Sequence, residues 1–236
     1  MESMDIMKTS FFEIGQIPAV IYGGSAEKVY LFVHGKCGCK EEGADFARVV
    51  CPKGWQVLAV DLPDHGCRKG VGEFVPWQAV PELRAVINWA KERWPHIALR
   101  ANSLGAWFSM LAFETNPPEK ALFVSPVVDM NKLIEQMMGW AVVDEARLRA
   151  EREIKTDFGE TLSWRYLQYA RENPIERWAC PTAVLYAGKD HLVKRKTIET
   201  FIRRFGCRLT VMEEGEHWFH TPEQLAVLEE WTAQEG

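Results

Sequence analysis

A serine at a predicted strand-to-helix turn has the setting of a nucleophile. Ser103 follows the apolar stretch 96–101 and precedes the run 104–111, which is apolar nearly all round, so a buried strand and a buried helix are predicted beside it. Small residues stand two positions before and after it, Ala101 and Gly105. A hydroxyl at such a turn can attack a carbonyl if a base, a group that orients the base and N–H donors for the oxyanion lie nearby. The same pattern also fits a serine that caps a buried helix.

The composition indicates a soluble globular chain rather than a nucleic-acid or membrane protein. The 236 residues are 47% hydrophobic and carry a net charge of −5, with no basic stripe. No apolar run reaches the length of a membrane span, and residues 1–10 lack the pattern of a signal peptide. We therefore expect a cytoplasmic protein whose six cysteines are reduced and which has neither a nucleic-acid nor a membrane partner. The oligomeric state stays open.

Short apolar segments alternate with longer amphipathic ones along most of the chain. The predicted strands follow an opening hairpin at 11–23 and comprise 28–35, 55–61, 96–101, 120–126, 181–188 and 207–213. The predicted helices comprise 41–50, 76–94, 103–114, 191–206 and 221–231. Continuously apolar strands that alternate with helices predict an α/β fold with a mostly parallel central sheet and helices on both faces.

Residues 128–178 interrupt this alternation. They contain amphipathic helical stretches and no good strand, so we predict a small helical cap insertion there. The core domain then comprises 1–127 and 179–236. An insertion between two sheet strands would lie over the strand ends, where folds of this class bind ligands.

Five short motifs, in order along the chain, give the sequence a resemblance to a known family. They are "LFVHGKCG" (31–38), "VDLPDHGCR" (60–68), "ANSLG" (101–105), "YAGKDHLV" (186–193) and "EGEHWFH" (214–220). The chain resembles the α/β-hydrolase family, whose nucleophile turn reads G-x-S-x-G and whose triad runs serine, acid, histidine. In this chain alanine replaces the first glycine of that turn.

The resemblance implies a role for each matching residue. Ser103 would be the nucleophile, His217 the base and Asp190 the acid that orients the base. The oxyanion would be held by the backbone amides of Lys36 and Leu104. The amide of Cys37 is an alternative to that of Lys36.

Two other residues could take the place of the assigned base and acid. A third residue, on a predicted strand, has no explanation. His220, in the same loop as His217, is a second possible base. Asp129, after the strand at 120–126, is a second possible acid. Arg100 stands on a predicted buried strand without an identified partner.

A group of imidazole and thiol side chains in two loops could in principle bind zinc. Its members are His34, Cys37, Cys39, His65 and Cys67. They lack the paired C-x-x-C spacing of structural zinc sites, and the resemblance gives both histidines a role in shaping the loops. We therefore predict no metal and no cofactor.

The predicted function is that of a serine hydrolase. It would cleave a small carboxylic ester or thioester through an acyl-enzyme, with a small-molecule acyl compound as its partner. Cys37 and the insertion's aromatic residues Trp140 and Trp164 could line the acyl pocket, or those aromatic residues could only pack the helical layer. An acyltransferase, an amidase or a non-catalytic binding protein on the same fold are the alternatives.

Overall fold

An eight-stranded sheet forms the centre of the computed structural model, which describes residues 7–236. In chain order the strands of the chain are β1 (Thr9–Ile14), β2 (Ile17–Tyr22), β3 (Lys28–Val33), β4 (Trp55–Val60), β5 (His96–Asn102), β6 (Ala121–Val124), β7 (Glu153–Lys155), β8 (Thr161–Ser163), β9 (Thr182–Ala187) and β10 (Arg208–Met212). The strands β7 and β8 pair only with each other, and the remaining eight form the central sheet. The order across the sheet is β1-β2-β4-β3-β5-β6-β9-β10. The strands β1 and β2 run antiparallel to their neighbours and the other pairs are parallel, which confirms the predicted fold class.

Eight α-helices lie in the described part of the chain. They are α1 (Gly43–Val50), α2 (Pro76–Lys91), α3 (Ser103–Ala112), α4 (Met130–Trp140), α5 (Glu145–Glu151), α6 (Trp164–Glu172), α7 (Arg195–Phe205) and α8 (Pro222–Glu235). Within residues 7–236, none of the helices combines the length and apolar character needed to cross a membrane.

Alternate residues of the central strands face two separate cores. In β3, Leu31 and Val33 pack in the core that holds α2, α3 and α7, whereas Tyr30 and Phe32 pack in the core that holds α1 and α8. A strand buried on both faces has no polar side, and this explains why the strands read as continuous apolar runs. All six residues of β9 are buried, for example.

The parallel arrangement brings the carboxyl ends of the central strands to one edge of the sheet. The strands β3 and β5 are neighbours, with Val33 paired to Ala101 near their ends. The loop after β3 therefore lies beside the start of α3. The loops after β9 and β10 reach the same edge, because β9 pairs with both β6 and β10. Ligand sites of open α/β sheets lie at this edge.

The segment between β6 and β9 contains three helices and one feature that the sequence prediction missed. Predicted to hold no good strand, it includes the antiparallel hairpin β7–β8. Each strand has only three residues, and only Ile154 and Leu162 are buried, so no alternating pattern could develop. Gly159, at a φ of +84°, closes the hairpin turn.

The division into a core (1–127 and 179–236) and a cap (128–178) stays a prediction. Residues 1–6, which belong both to that core and to the stretch without a signal-peptide pattern, lie outside the described residues.

Candidate active site

The strand β5 passes into α3 through a strained turn at Ser103. Ser103 has a φ of +48°, in the left-handed region that residues other than glycine rarely adopt. It is the first residue of α3, and its hydroxyl is directed to His217 instead of capping the helix. The helix-cap interpretation of this serine is therefore wrong. Ala101 is completely buried, so the turn accommodates its methyl group where related turns have glycine.

Three side chains form a continuous hydrogen-bonded chain at the sheet edge. Ser103 Oγ lies 2.8 Å from His217 Nε2, and His217 Nδ1 lies 2.7 Å from Asp190 Oδ2. With Nδ1–H donating to the carboxylate, Nε2 is free to accept the serine proton. The structure thus brings together the serine, histidine and aspartate predicted from the sequence.

The carboxylate of Asp190 is fixed by backbone donors as well as by the imidazole. Its Oδ1 accepts hydrogen bonds from the amides of Leu192 and Val193, at 2.8 and 3.0 Å. The side chain is fully buried, whereas that of His217 is 12% exposed. A carboxylate with each oxygen already engaged cannot turn away from the imidazole without losing these contacts.

Both rivals are engaged elsewhere. Asp129 caps α4, where it accepts from the Lys132 amide at 3.1 Å and pairs with the Lys132 ammonium at 3.0 Å. His220 is exposed, its ring stacks on Trp218, and its Nδ1 lies 2.7 Å from the Trp218 carbonyl oxygen.

The loop after β3 contains Lys36, whose amide is one of the two predicted oxyanion donors. The Cys37 amide donates to His65 Nε2 at 2.8 Å and is therefore unavailable, so the alternative to Lys36 is wrong. The amides of Lys36 and Leu104 have no acceptor among residues 7–236. Gly35 lets this loop approach the turn, because a Cβ there would lie 3.1 Å from Ser103 Cβ.

Two buried histidines shape the loops and leave no ring nitrogen for a metal. His34 Nδ1 donates to the Gly35 carbonyl at 2.7 Å, and its Nε2 accepts from the Leu62 amide at 3.0 Å. His65 Nδ1 donates to the Pro63 carbonyl at 2.8 Å. Burial lowers the pKa of His34 to about 4, so this imidazole is neutral. Within residues 7–236 no three histidine, cysteine or acidic side chains are arranged to hold a metal ion.

A buried ion pair beneath these loops was not singled out from the sequence. Asp61 Oδ2 accepts from the Lys40 ammonium at 2.8 Å and from the Cys67 amide at 3.0 Å, and Oδ1 accepts from the Lys40 amide at 2.9 Å. Burial alone would raise the pKa of Asp61, but the hydrogen bonds from Lys40 lower it. Gly66 must be glycine, because a Cβ there would lie 2.1 Å from Asp61 Oδ1. The motif at 60–68 contains Asp61, Gly66 and Cys67, so this motif was the feature of the sequence that could have indicated the arrangement.

Arg100 lies on the opposite face of the sheet from the α3 core. It is buried, and its Nη1 donates to Asn102 Oδ1 at 2.6 Å, next to the nucleophile turn. Its guanidinium faces the rings of Phe46 and Trp231 at 5.6 and 5.8 Å from their centroids. Burial lowers the pKa of Arg100 to about 9, and the charge of Glu42 opposes that effect.

The two predicted aromatic residues of the insertion have different surroundings. Trp164 is buried at the start of α6, which favours the packing role for it. Trp140 is 44% exposed and contacts the ring of Phe158 in the hairpin turn. The hairpin brings Glu160 to Lys36, a contact between residues 124 positions apart that no local pattern could reveal.

A cavity of 330 Å³ lies between α7 and the insertion. Its lining includes Trp107, Asp129, Arg171 and Phe201 but none of the three triad residues. The predicted acyl pocket is therefore not this cavity.

Comparisons with known proteins identify the fold. No protein-family model matches the sequence, and no curated protein matches it. Among solved structures, Est1E from Butyrivibrio proteoclasticus with ferulic acid bound is 18% identical, with a TM-score of 0.73 over 95% of this chain and 96% of that one. Alpha/beta hydrolase domain-containing protein 10 from mouse is 13% identical, with a TM-score of 0.76 over 96% and 97%. The thioesterase domain from the curacin biosynthetic pathway is 16% identical, with a TM-score of 0.60 over 97% and 99%.

The sheet order, the nucleophile turn and these similarities define one class of protein. The chain has the α/β-hydrolase fold, as the resemblance of its motifs predicted. At identities of 13–18% the similarity establishes the fold and leaves the reaction to be argued from the site itself.

Proposed function

We propose that the protein is a serine hydrolase that cleaves a small carboxylic ester or thioester through an acyl-enzyme. The observation that carries this proposal is the hydrogen-bonded chain Ser103–His217–Asp190, with distances of 2.8 and 2.7 Å. A structural serine needs neither a positive φ nor a histidine oriented by a buried carboxylate.

In the first half of the reaction Ser103 Oγ attacks the acyl carbonyl while His217 Nε2 takes its proton. Asp190 holds the ring and stabilises the imidazolium that forms. The carbonyl oxygen becomes an oxyanion beside the amides of Lys36 and Leu104, and one such donor contributes about 3 kcal/mol in a well-studied protease. When the tetrahedral intermediate collapses, His217 returns the proton to the leaving alcohol or thiol.

In the second half water replaces the leaving group. His217 removes a proton from a water molecule while the water oxygen attacks the Ser103 ester. It then gives the proton to Ser103 Oγ as the carboxylic acid leaves. An acyltransferase would admit an alcohol or amine in place of water. An amidase would need the same steps with a poorer leaving group.

Two structural neighbours support the proposed substrate class. One structural neighbour is described with ferulic acid bound and another as a thioesterase domain. We propose that residues 128–178 act as a cap over this edge and that Trp140 and Cys37 lie at its mouth. A small-molecule acyl compound is the proposed partner.

A fluorophosphonate probe tests the proposal directly, because it reacts with an activated serine. We expect labelling of the wild type and none of Ser103→Ala, and a loss of ester hydrolysis on the order of a millionfold in that variant. Ser109→Ala is the matched control, since Ser109 is buried on the same helix and its hydroxyl has no partner among residues 7–236. Equal labelling of wild type and Ser103→Ala would refute the proposal.

The same preparation separates the remaining alternatives. A panel of 4-nitrophenyl esters from acetate to octanoate, a thioester and an anilide would identify the preferred leaving group and chain length. Acyl transfer would appear as an ester or amide product when an alcohol or amine is added. A non-catalytic binding protein would turn over none of them.

A further inference from the structure

An ion pair joins the insertion to the loop that carries the proposed oxyanion donor. Lys36 Nζ lies 2.5 Å from both Oε1 and Oε2 of Glu160. The two side chains are 41% and 38% exposed. Lys36 is the residue whose amide we assign to the oxyanion. Its ammonium can therefore be no farther from that amide than the length of the lysine side chain.

The carboxylate of Glu160 is presented by a firmly held turn. Thr156 donates from its amide and its hydroxyl to the Glu160 carbonyl, at 2.9 and 2.8 Å. The Glu160 amide donates back to Thr156 Oγ1 at 3.2 Å. Ile154 and Leu162 anchor the hairpin in the core beneath this turn. Glu160 is therefore held at the mouth of the site by the fold of the insertion.

This contact matters through its charge more than through its contribution to stability. An exposed ion pair stabilises a fold by about 0–1 kcal/mol. A single ammonium beside the site, however, would attract a carboxylate on an acyl group and raise its local concentration. With Glu160 in place, its carboxylate offsets the charge of the Lys36 ammonium beside the proposed oxyanion position.

We propose that Glu160 is a specificity-determining residue that makes the site select uncharged acyl groups over carboxylate-bearing ones. This inference rests on the proposed hydrolase function and adds a substrate class to it. Removing the charge of Glu160 leaves the Lys36 ammonium uncompensated, so the variant should accept anionic acyl groups better. Removing the charge of Lys36 should shift selectivity in the opposite direction.

Two esters of matched length measure the effect. In 4-nitrophenyl hexanoate and 4-nitrophenyl hemiadipate the acyl groups have six carbons each, only the second carries a carboxylate, and its chain is too long for the carboxylate to expel 4-nitrophenolate readily by ring closure. The quantity measured is the ratio of kcat/KM for the hemiadipate to that for the hexanoate, each corrected for hydrolysis without enzyme. For charges about 8 Å apart and an effective dielectric constant of about 40, between the values for a surface pair and for bulk water, we expect Glu160→Gln to raise this ratio roughly fivefold and added salt to reduce the gain.

Three further variants distinguish selectivity from other effects. Lys36→Met should lower the ratio, and the double variant Lys36→Met/Glu160→Gln should return it to the wild-type value. Glu153→Gln, on the same hairpin, removes an equal charge at the end of the strand pair opposite the turn and should leave the ratio unchanged.

The outcomes separate this inference from the function on which it rests. If wild type and Ser103→Ala hydrolyse both esters equally, the proposed function fails. If only wild type is active but Glu160→Gln changes the ratio less than twofold, the inference fails alone. It also fails if Glu160→Gln lowers both rates equally, since Glu160 would then only position the loop, or if Glu153→Gln gives the same shift.

Discussion

Gly105, in the first turn of α3, provides a sharp test of how the nucleophile turn and the oxyanion loop fit together. A Cβ at this position would lie 2.3 Å from the His34 carbonyl oxygen and 2.8 Å from that of Val33. Both neighbours are backbone atoms, so no side-chain rotation can relieve the overlap. Replacing Gly105 by alanine must therefore separate the start of α3 from the end of β3.

The two opposing contributions to stability can be compared. Within a helix, alanine is normally more stable than glycine by about 0.5–1 kcal/mol. Overpacking of a close-packed interior typically costs about 1–3 kcal/mol. We expect the second effect to win, with a net loss of about 1–2 kcal/mol in the free energy of unfolding for Gly105→Ala. Gly139→Ala, in α4, should instead gain about 0.5 kcal/mol, because a Cβ there has no heavy atom within 4 Å.

The effect on activity should exceed the effect on stability. The shift that relieves the overlap moves the Leu104 amide away from the Lys36 amide, and a displacement of about 1 Å can reduce a rate on the order of a hundredfold. Urea denaturation and kcat/KM for a 4-nitrophenyl ester would be measured on both glycine variants. If Gly105→Ala gains stability as Gly139→Ala does and keeps kcat/KM within twofold, then α3 does not lie as close to the His34 carbonyl as this argument requires.

Two further predictions concern buried titratable groups. Because burial lowers the pKa of His34 to about 4, the unfolded chain binds a proton between pH 6.5 and 4 that the folded chain does not. The free energy of unfolding should fall by up to about 3 kcal/mol as pH decreases through that window. Urea denaturation should show a smaller fall in His34→Gln, and an equal fall would contradict this origin. The guanidinium of Arg100 is buried, and its Nε has no partner among residues 7–236. Arg100→Met should therefore unfold at an equal or higher urea concentration than the wild type, and a lower urea midpoint would contradict that expectation.

Much of the fold could be predicted because its signals are long and local. The strand β9 reads as an uninterrupted apolar run, and α7 ends at Gly206, which has the left-handed φ of +66°. The hairpin β7–β8 was missed for the opposite reason. Three residues on each strand are too few to establish a period, and burial of the hairpin depends on the helices packed around it.

The positions of the triad residues could be predicted because a parallel sheet brings its strand ends together. Ser103, Asp190 and His217 each follow a strand of that sheet, so their convergence needs only the topology. The choice between Lys36 and Cys37 could not be made this way. It depends on one hydrogen bond, from the Cys37 amide to His65, and the sequence does not specify loop geometry at that level.

We expect different polar residues to control the rate of turnover and the preference for substrate. The loop after β3, which carries the proposed oxyanion donor Lys36, is held in place by buried groups whose hydrogen bonds are satisfied, namely the imidazoles of His34 and His65 and the Asp61–Lys40 pair. Such a network favours a single loop conformation, because a change in one member leaves another unpaired. From above, the loop is contacted by an exposed residue of the insertion, Glu160, whose replacement leaves no buried group unsatisfied. Substitutions in this buried network should therefore reduce turnover of every substrate, whereas replacement of Glu160 should change which substrate is preferred.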